Sequence, residues 1–295
     1  MRKRIIQKLT MLAFIVMASI PAFAQGGKFG SETNAGVATT IGDNVVAGDV
    51  FDLQELRYYV KSIEDGVLDL EVIGLSSQIA GATGDPSLLT SKWEGTVTIP
   101  HKLSAADVDR AAEISSIAAN AFTTTVLYPT TEGGKNATDS KDNFTAAAAL
   151  VTKIIIDYNA EATVVAGIGA NAFAGLTALT EVTSLSPTPP TCPAGAFASS
   201  VKTLIVPEGS KVMGLYAKPN SGAWRKISTI KNTAGLMFGD VDKSKRLNGT
   251  DITILNKVIA KQATSNDACD TDGSGRLNGT DVSVLNNEIA KKYRQ

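Results

Sequence analysis

The sequence predicts an α/β chain in two folded parts: a solenoid of short strands and irregular turns, then a small all-α unit built on two copies of one acidic loop. Three observations predict this. A run near the C-terminus recurs at an offset of 30 residues, an Ala-Phe signature returns three times in the middle of the chain, and short strand-like pieces lie between those signatures. At 295 residues the chain can hold two domains of ordinary size. Its 43% hydrophobic and 19% charged content is that of a globular protein. The formal net charge of -1 leaves no basic surplus for phosphate contacts, so nucleic acid is not expected as a partner.

The chain opens with Arg2, Lys3, Arg4 and Lys8, followed by an apolar run from Leu9 to Ile20 and a small-x-small end at Ala22-Phe23-Ala24. This is the pattern of a secretory signal peptide over residues 1–24. The apolar run is shorter than the ~20 residues a membrane helix needs, and Pro21 interrupts it. Cleavage after Ala24 would take the net charge from -1 to -5 and leave no segment able to span a membrane. A secreted or surface-associated protein is expected. Export permits a disulfide, but Cys192 and Cys269 make no framework, and two separate thiols are favoured over one bridge.

Residues 25–50, rich in Gly, Ala, Thr and Asn, are expected to be a flexible N-terminal segment. From residue 51 the chain reads as structured. Arg57–Val60 and Val67–Ile73 alternate like strands across an Asp65-Gly66 turn. Further strand-like pieces are Thr96–Pro100, Lys153–Asp157, Leu179–Val182 and Lys202–Pro207. The stretch Ile114–Phe122 matches Val165–Phe173, and Pro193–Phe197 is an abbreviated third copy. Phe173 and Phe197 are 24 residues apart, while Phe122 and Phe173 are 51 apart, about two repeats with an insertion from Thr130 to Ala148. Units of this size bury little alone and make a core by stacking. The Ile-x-x-Ala-Phe pattern, with Val206-Pro-Glu-Gly-Ser, Tyr216 and Trp224 at its end, resembles the BspA-like leucine-rich repeats of bacterial surface proteins over about residues 51–232. The resemblance implies an α/β leucine-rich-repeat solenoid that binds an unknown protein or glycan ligand, often in adhesion. The alternative fold is an all-β sandwich.

The C-terminal duplication is the sharpest signal. Residues 240–261 and 270–291 agree at 14 of 22 positions. Each copy starts with a twelve-residue loop carrying oxygen side chains at positions 1, 3, 5, 9 and 12, the spacing of an EF-hand calcium loop. Calcium takes six to eight hard oxygen ligands, and alternate residues of a coiled loop can all point inward. In the first loop these are Asp240, Asp242, Ser244, Asn248 (directly or through a water) and Asp251; in the second, Asp270, Asp272, Ser274, Asn278 and Asp281. Position 7 would contribute the backbone carbonyl of Arg246 and of Arg276. Two calcium ions are therefore expected. Position 6 calls for positive φ; the second loop has Gly275 there and the first has Lys245, so the second site is predicted to bind more tightly. After each loop comes a short helix, with one apolar face at Ile252, Leu255, Val258 and Ile259 and its copy at Val282, Leu285 and Ile289.

Twelve-residue loops ending in Asp, each with one helix after and none before, twice in about sixty residues, resemble the type I dockerin over residues 237–295. The resemblance implies calcium-dependent docking onto a cohesin-like domain, with loop positions 10 and 11, here Gly249-Thr250 and Gly279-Thr280, in contact with the partner. Because both copies carry the same pair, docking in two orientations related by the internal twofold is implied too. Dockerins are commonly fused to polysaccharide-degrading enzymes. Here Glu94, Asp107, Glu113 and Glu161 sit in no motif, only Trp93 and Trp224 offer indole platforms, and His101 is the single histidine. No nucleophile elbow, phosphate loop or zinc motif occurs. A non-catalytic binding protein is therefore expected; the alternatives are a dockerin-borne enzyme or accessory subunit in polysaccharide breakdown, and a structural spacer in a surface assembly.

Overall fold

A computed structural model describes residues 28–29, 45–53, 56–75, 95–103, 111–123, 148–160, 165–218 and 220–292. The expected signal peptide, most of residues 25–50, and the expected insertion from Thr130 up to residue 147 lie outside the described residues, as do Glu94, Trp93, Asp107 and Glu161.

Strand formation follows the alternation of the sequence. β1 (Lys28–Phe29), β2 (Val50–Leu53), β3 (Leu56–Glu64) and β4 (Val67–Leu75) pair antiparallel in chain order. Asp65 and Gly66 turn the β3–β4 hairpin with φ of 51° and 80°, the two left-handed residues that a tight hairpin needs. β6 (Ala112–Ile117) then adds to β4 in parallel and β8 (Gly167–Ile168) adds to β6, which completes a six-stranded mixed sheet. A second sheet is all parallel, in the order β11-β10-β9-β7-β5, from β5 (Thr96–Ile99), β7 (Lys153–Ile156), β9 (Glu181–Ser184), β10 (Thr203–Val206) and β11 (Thr229–Asn232).

The predicted leucine-rich-repeat solenoid is not what forms. The architecture is α/β with one mixed and one parallel sheet and few helices. The physical reason lies in the β3–β4 hairpin: β3 and β4 are nine residues each and pair antiparallel, so the mixed sheet grows from a meander and not from stacked one-strand units. Five strands in parallel register also exclude a sandwich of antiparallel sheets as the whole answer.

The Ala-Phe signatures nonetheless do related jobs. Phe122, Phe173 and Phe197 stack face to face at centroid separations of 5.1 and 5.3 Å, and Trp224 closes the row at 4.9 Å from Phe197. Trp224 is fully buried, meets Tyr216 edge-on at 5.3 Å and donates its indole N–H to the Pro190 carbonyl at 2.9 Å. Asn120 and Asn171 turn the chain ahead of the first two rings with φ of 58° and 57°, a conformation Asn tolerates better than most residues. The core between the sheets is filled by Val97, Ile99, Ile154, Ile156, Leu70 and Ile114, all essentially without solvent contact. Cys192 and Cys269 are both buried and both free.

The C-terminal part is helical. α1 (Val212–Ala217) belongs to the sheet region; α2 (Gly249–Ile259) and α3 (Gly279–Lys292) follow the two acidic loops. α2 and α3 bury Leu255, Val258, Leu285 and Ile289, four of the seven apolar positions predicted for the two helix faces, and Ile252, Ile259 and Val282 pack partly buried beside them.

Candidate metal centre

Each loop folds around its first carboxylate. Asp240 accepts from the Ser244 amide at 2.9 Å and the Lys245 amide at 2.8 Å; Asp270 accepts from the Ser274 and Gly275 amides at 3.0 and 2.7 Å. Position 3 adds a second acceptor to the same amide, Asp242 at 3.0 Å and Asp272 at 2.9 Å. Position 12 closes the loop: Asp251 accepts from the amides of Asp242 and Asn248 at 3.2 and 2.9 Å, and Asp281 repeats both bonds, with Asp272 and Asn278, at the same distances.

The result is two triads, Asp240–Asp242–Asp251 and Asp270–Asp272–Asp281, in each of which one carboxylate oxygen per residue lies within 4.8 Å of the other two. Two oxygens bound to one calcium, each about 2.3–2.6 Å from it, can be no more than about 5 Å apart. The donor set therefore fits the ion in size as well as in hardness. Asp240, Asp251, Asp270 and Asp281 are buried, which is costly for carboxylates held side by side without a cation. That cost shows in the acidity of Asp251 and Asp270. Burial raises Asp251 above the ordinary carboxylate value, with the negative charges of Asp242 and Asp240 adding to it. Burial also raises Asp270. Asp242 is held below its ordinary value, first by the hydrogen bond from Ser244. Asp272 is lowered as well: burial pushes it up, but the bonds from Ser274 and the charge of Lys218 outweigh that.

The remaining predicted residues are placed as follows. Ser244 and Ser274 direct their hydroxyls to the carbonyls of Arg246 and Arg276, both at 3.2 Å, so position 5 and position 7 oxygens lie together. The Arg246 and Arg276 residues are exposed. Asn248 and Asn278 act at the helix starts: the side-chain oxygen of each accepts from the amide two residues on, Thr250 and Thr280, at 2.8 Å. For α2 this forms a capping box with Asp251. Gly249, Thr250, Gly279 and Thr280 are all exposed, two on each copy.

One feature escaped the sequence reading. Loop position 4, like position 6, is left-handed: Lys243 and Lys245 have φ of 61° and 63°, and Gly273 and Gly275 have 61° and 79°. The first loop thus holds two lysines in a conformation natural to glycine. The signal was present in the alignment of the two copies, since glycine occupies both positions of the second.

Outside the loops, His101 lies two residues past the end of β5, and its Nδ1 is 2.5 Å from Asp157 Oδ2, just beyond β7. Among the described residues its Nε2 has no hydrogen-bond partner. Glu113 lies in β6, within the mixed sheet. No helix among the described residues is long and apolar enough to cross a membrane.

No curated protein and no solved structure matches the chain. Residues 238–290 match the family model of the dockerin type I domain, so this C-terminal segment is similar to a family of calcium-binding docking modules.

Proposed function

We propose that the chain is an exported, non-catalytic binding protein, whose C-terminal segment from residue 237 holds two calcium ions and docks onto a cohesin-bearing scaffold or surface protein. The observation that carries this is the pair of three-carboxylate clusters, each of ion-binding size, inside the segment that matches the dockerin type I model. The ligands in the first loop are Asp240, Asp242, Ser244, the Arg246 carbonyl and Asp251; in the second, Asp270, Asp272, Ser274, the Arg276 carbonyl and Asp281. Asn248 and Asn278, whose side-chain oxygens cap the helices, act through a water. Bound calcium supplies the positive charge that lets these buried carboxylates stay ionised together. The exposed Gly249-Thr250 and Gly279-Thr280 pairs are the contact surface for the partner, and the sheet region is the cargo that docking positions.

The test uses the full mature chain as bait against envelope and extracellular proteins of the same cell, once with calcium and once with chelator. Retention of a cohesin-like protein only with calcium is expected. Calcium binding without any such retention would overturn the docking reading. The dockerin match also accommodates a module carried by a polysaccharide-degrading enzyme; release of soluble sugar from polysaccharide by the same preparation would favour that reading.

A further inference from the structure

The two acidic loops are near copies in sequence but not in surroundings. Loop position 4 is exposed in the first copy, at Lys243, and buried in the second, at Gly273. Gly273 lies against Gly214 of α1. A Cβ on Gly214 would come within 2.4 Å of the Asp270 carbonyl oxygen and 2.5 Å of the Gly273 nitrogen, and a Cβ on Gly273 within 2.6 Å of the Leu215 nitrogen. Backbone meets backbone here because neither residue has a side chain. Lys218, just after α1, donates its ammonium to the Gly273 carbonyl at 3.2 Å. Three residues before the second loop, Asp267 accepts from the Gly209 amide at 2.8 Å and from the Asn232 side chain at 3.1 Å. The first copy has Met237 where the second has Asp267, and Lys243 where it has Gly273. At loop position 4 the copies also differ in surroundings: Gly273 is buried against α1, and Lys243 is exposed.

The connection is equally fixed. After β11 the chain turns at Gly235 and runs back along the strand: the Asn232 amide donates to the Leu236 carbonyl at 2.9 Å, Lys231 and Met237 pair antiparallel, and the Phe238 amide donates to the Ile230 carbonyl at 2.9 Å. The Asn232 side chain accepts from the Leu236 amide at 2.8 Å. Val241, Leu255, Leu285 and Ile289 belong to the same contiguous apolar cluster as the sheets.

We infer that the second acidic loop is a structural joint: seated through Gly273 on Gly214, it fastens the C-terminal helices to the sheet region, and an ion held there tightens that joint, while the matching position of the first loop, Lys243, stays open to solvent. The part about the ion rests on the calcium reading above; the joint itself rests on the contacts. A docked partner would then hold the sheet region rigidly in either docking orientation.

The test is Gly214→Leu in the full chain, read by calcium titration calorimetry and by scanning calorimetry. One of the two calcium constants should weaken at least tenfold with the other within twofold, and a single unfolding transition should split into two. Asp267→Ala, which removes two anchoring bonds without adding bulk, should shift the same constant in the same direction, and it decides the matter if the leucine variant does not fold. Lys243→Leu, which changes the exposed position of the first loop that matches Gly273, should leave a single transition. Unchanged constants with one transition in both Gly214→Leu and Asp267→Ala would overturn the joint. If the parent binds no calcium, the docking reading fails on its own. Calcium-free unfolding then judges the joint: one transition that splits in the variant upholds it, and two transitions in the parent overturn it.

Discussion

Replacing both Lys243 and Lys245 with glycine should tighten the weaker calcium site about tenfold. Both lysines sit at φ near +60°, where the second loop has Gly273 and Gly275. A side chain in the left-handed region costs about 1–2 kcal/mol, so relief at two positions is worth roughly 3 kcal/mol at mid-range. Glycine gives back about 0.5–1 kcal/mol per position through its greater freedom in the unformed loop. The net is about 1.5 kcal/mol, and about 1.4 kcal/mol corresponds to a factor of ten. Because the ion orders the loop, this strain is felt as affinity. The assay is calorimetric titration of calcium into the parent and the double variant, with Lys243→Ala/Lys245→Ala as the control that removes the two charges but keeps the strained backbone. The glycine variant should exceed the alanine control in the weak constant and leave the strong constant alone. Equal gains in the two variants would mean that charge and not backbone conformation separates the sites. A weaker site that maps to the second loop, shown by its loss in Asp270→Ala, would refute the ranking altogether.

Three other outcomes are expected. Calcium affinity should begin to fall at a pH above the ordinary carboxylate value near 4 as the solution is acidified, because burial raises Asp251 and Asp270, and a proton on either removes a ligand oxygen. The sign for the ion-free fold is opposite for these two groups: their neutral form is favoured by folding, so their contribution to ion-free stability grows as the pH drops through the raised values. Titrations at stepped pH check this, and an affinity flat to pH 4 would contradict it. Trp224→Ala should cost about 3–5 kcal/mol in urea denaturation, since a fully buried ring that caps the aromatic row leaves a large cavity; a loss under about 1 kcal/mol would mean the row is not structural. Neither thiol should react with an aromatic disulfide reagent in the native chain, because burial pushes Cys192 up to about 12 and raises Cys269 as well. Two thiols should appear on unfolding without reductant, and a need for reductant would reveal a bridge.

Local features of the sheet region were legible because local chemistry decides them. The hairpin at Asp65-Gly66 forms where two left-handed residues interrupt alternating runs, and the predicted pieces at Thr96, Lys153 and Lys202 contain β5, β7 and β10. The partition of strands was not legible. β6 holds the first residues of the Ile114–Phe122 signature, yet it joins the meander sheet, while β5 and β7 on either side of it in sequence pair with each other. Which of two sheets accepts a short strand depends on long-range register, and a four-residue run with one buried face fits either. Spacing between phenylalanines predicted a repeat; it could not show that the N-terminal member of the stack rests on a nine-residue antiparallel hairpin and not on another copy of itself.

The acidic loops were legible for a different reason. A twelve-residue loop must turn its own oxygens inward, so ligand spacing is written in consecutive residues and needs no distant partner. The duplication made the reading firmer by offering each position twice. The difference at position 6 was legible in this way, but the one at position 4 says more. Lys243 against Gly273 is both a difference in backbone strain and a difference in surroundings: the glycine that relieves the second loop is also the one that lets it rest on Gly214. Gly214 itself gives no sign in Val-Met-Gly-Leu-Tyr, an unremarkable stretch of a short helix. Glycine at position 4 can therefore be selected for affinity, for contact, or for both. Gly273→Ala together with Gly214→Leu separates these: effects on calcium that add would assign the two roles to independent causes, while a double variant no worse than Gly214→Leu alone would show that the contact and the affinity are one property.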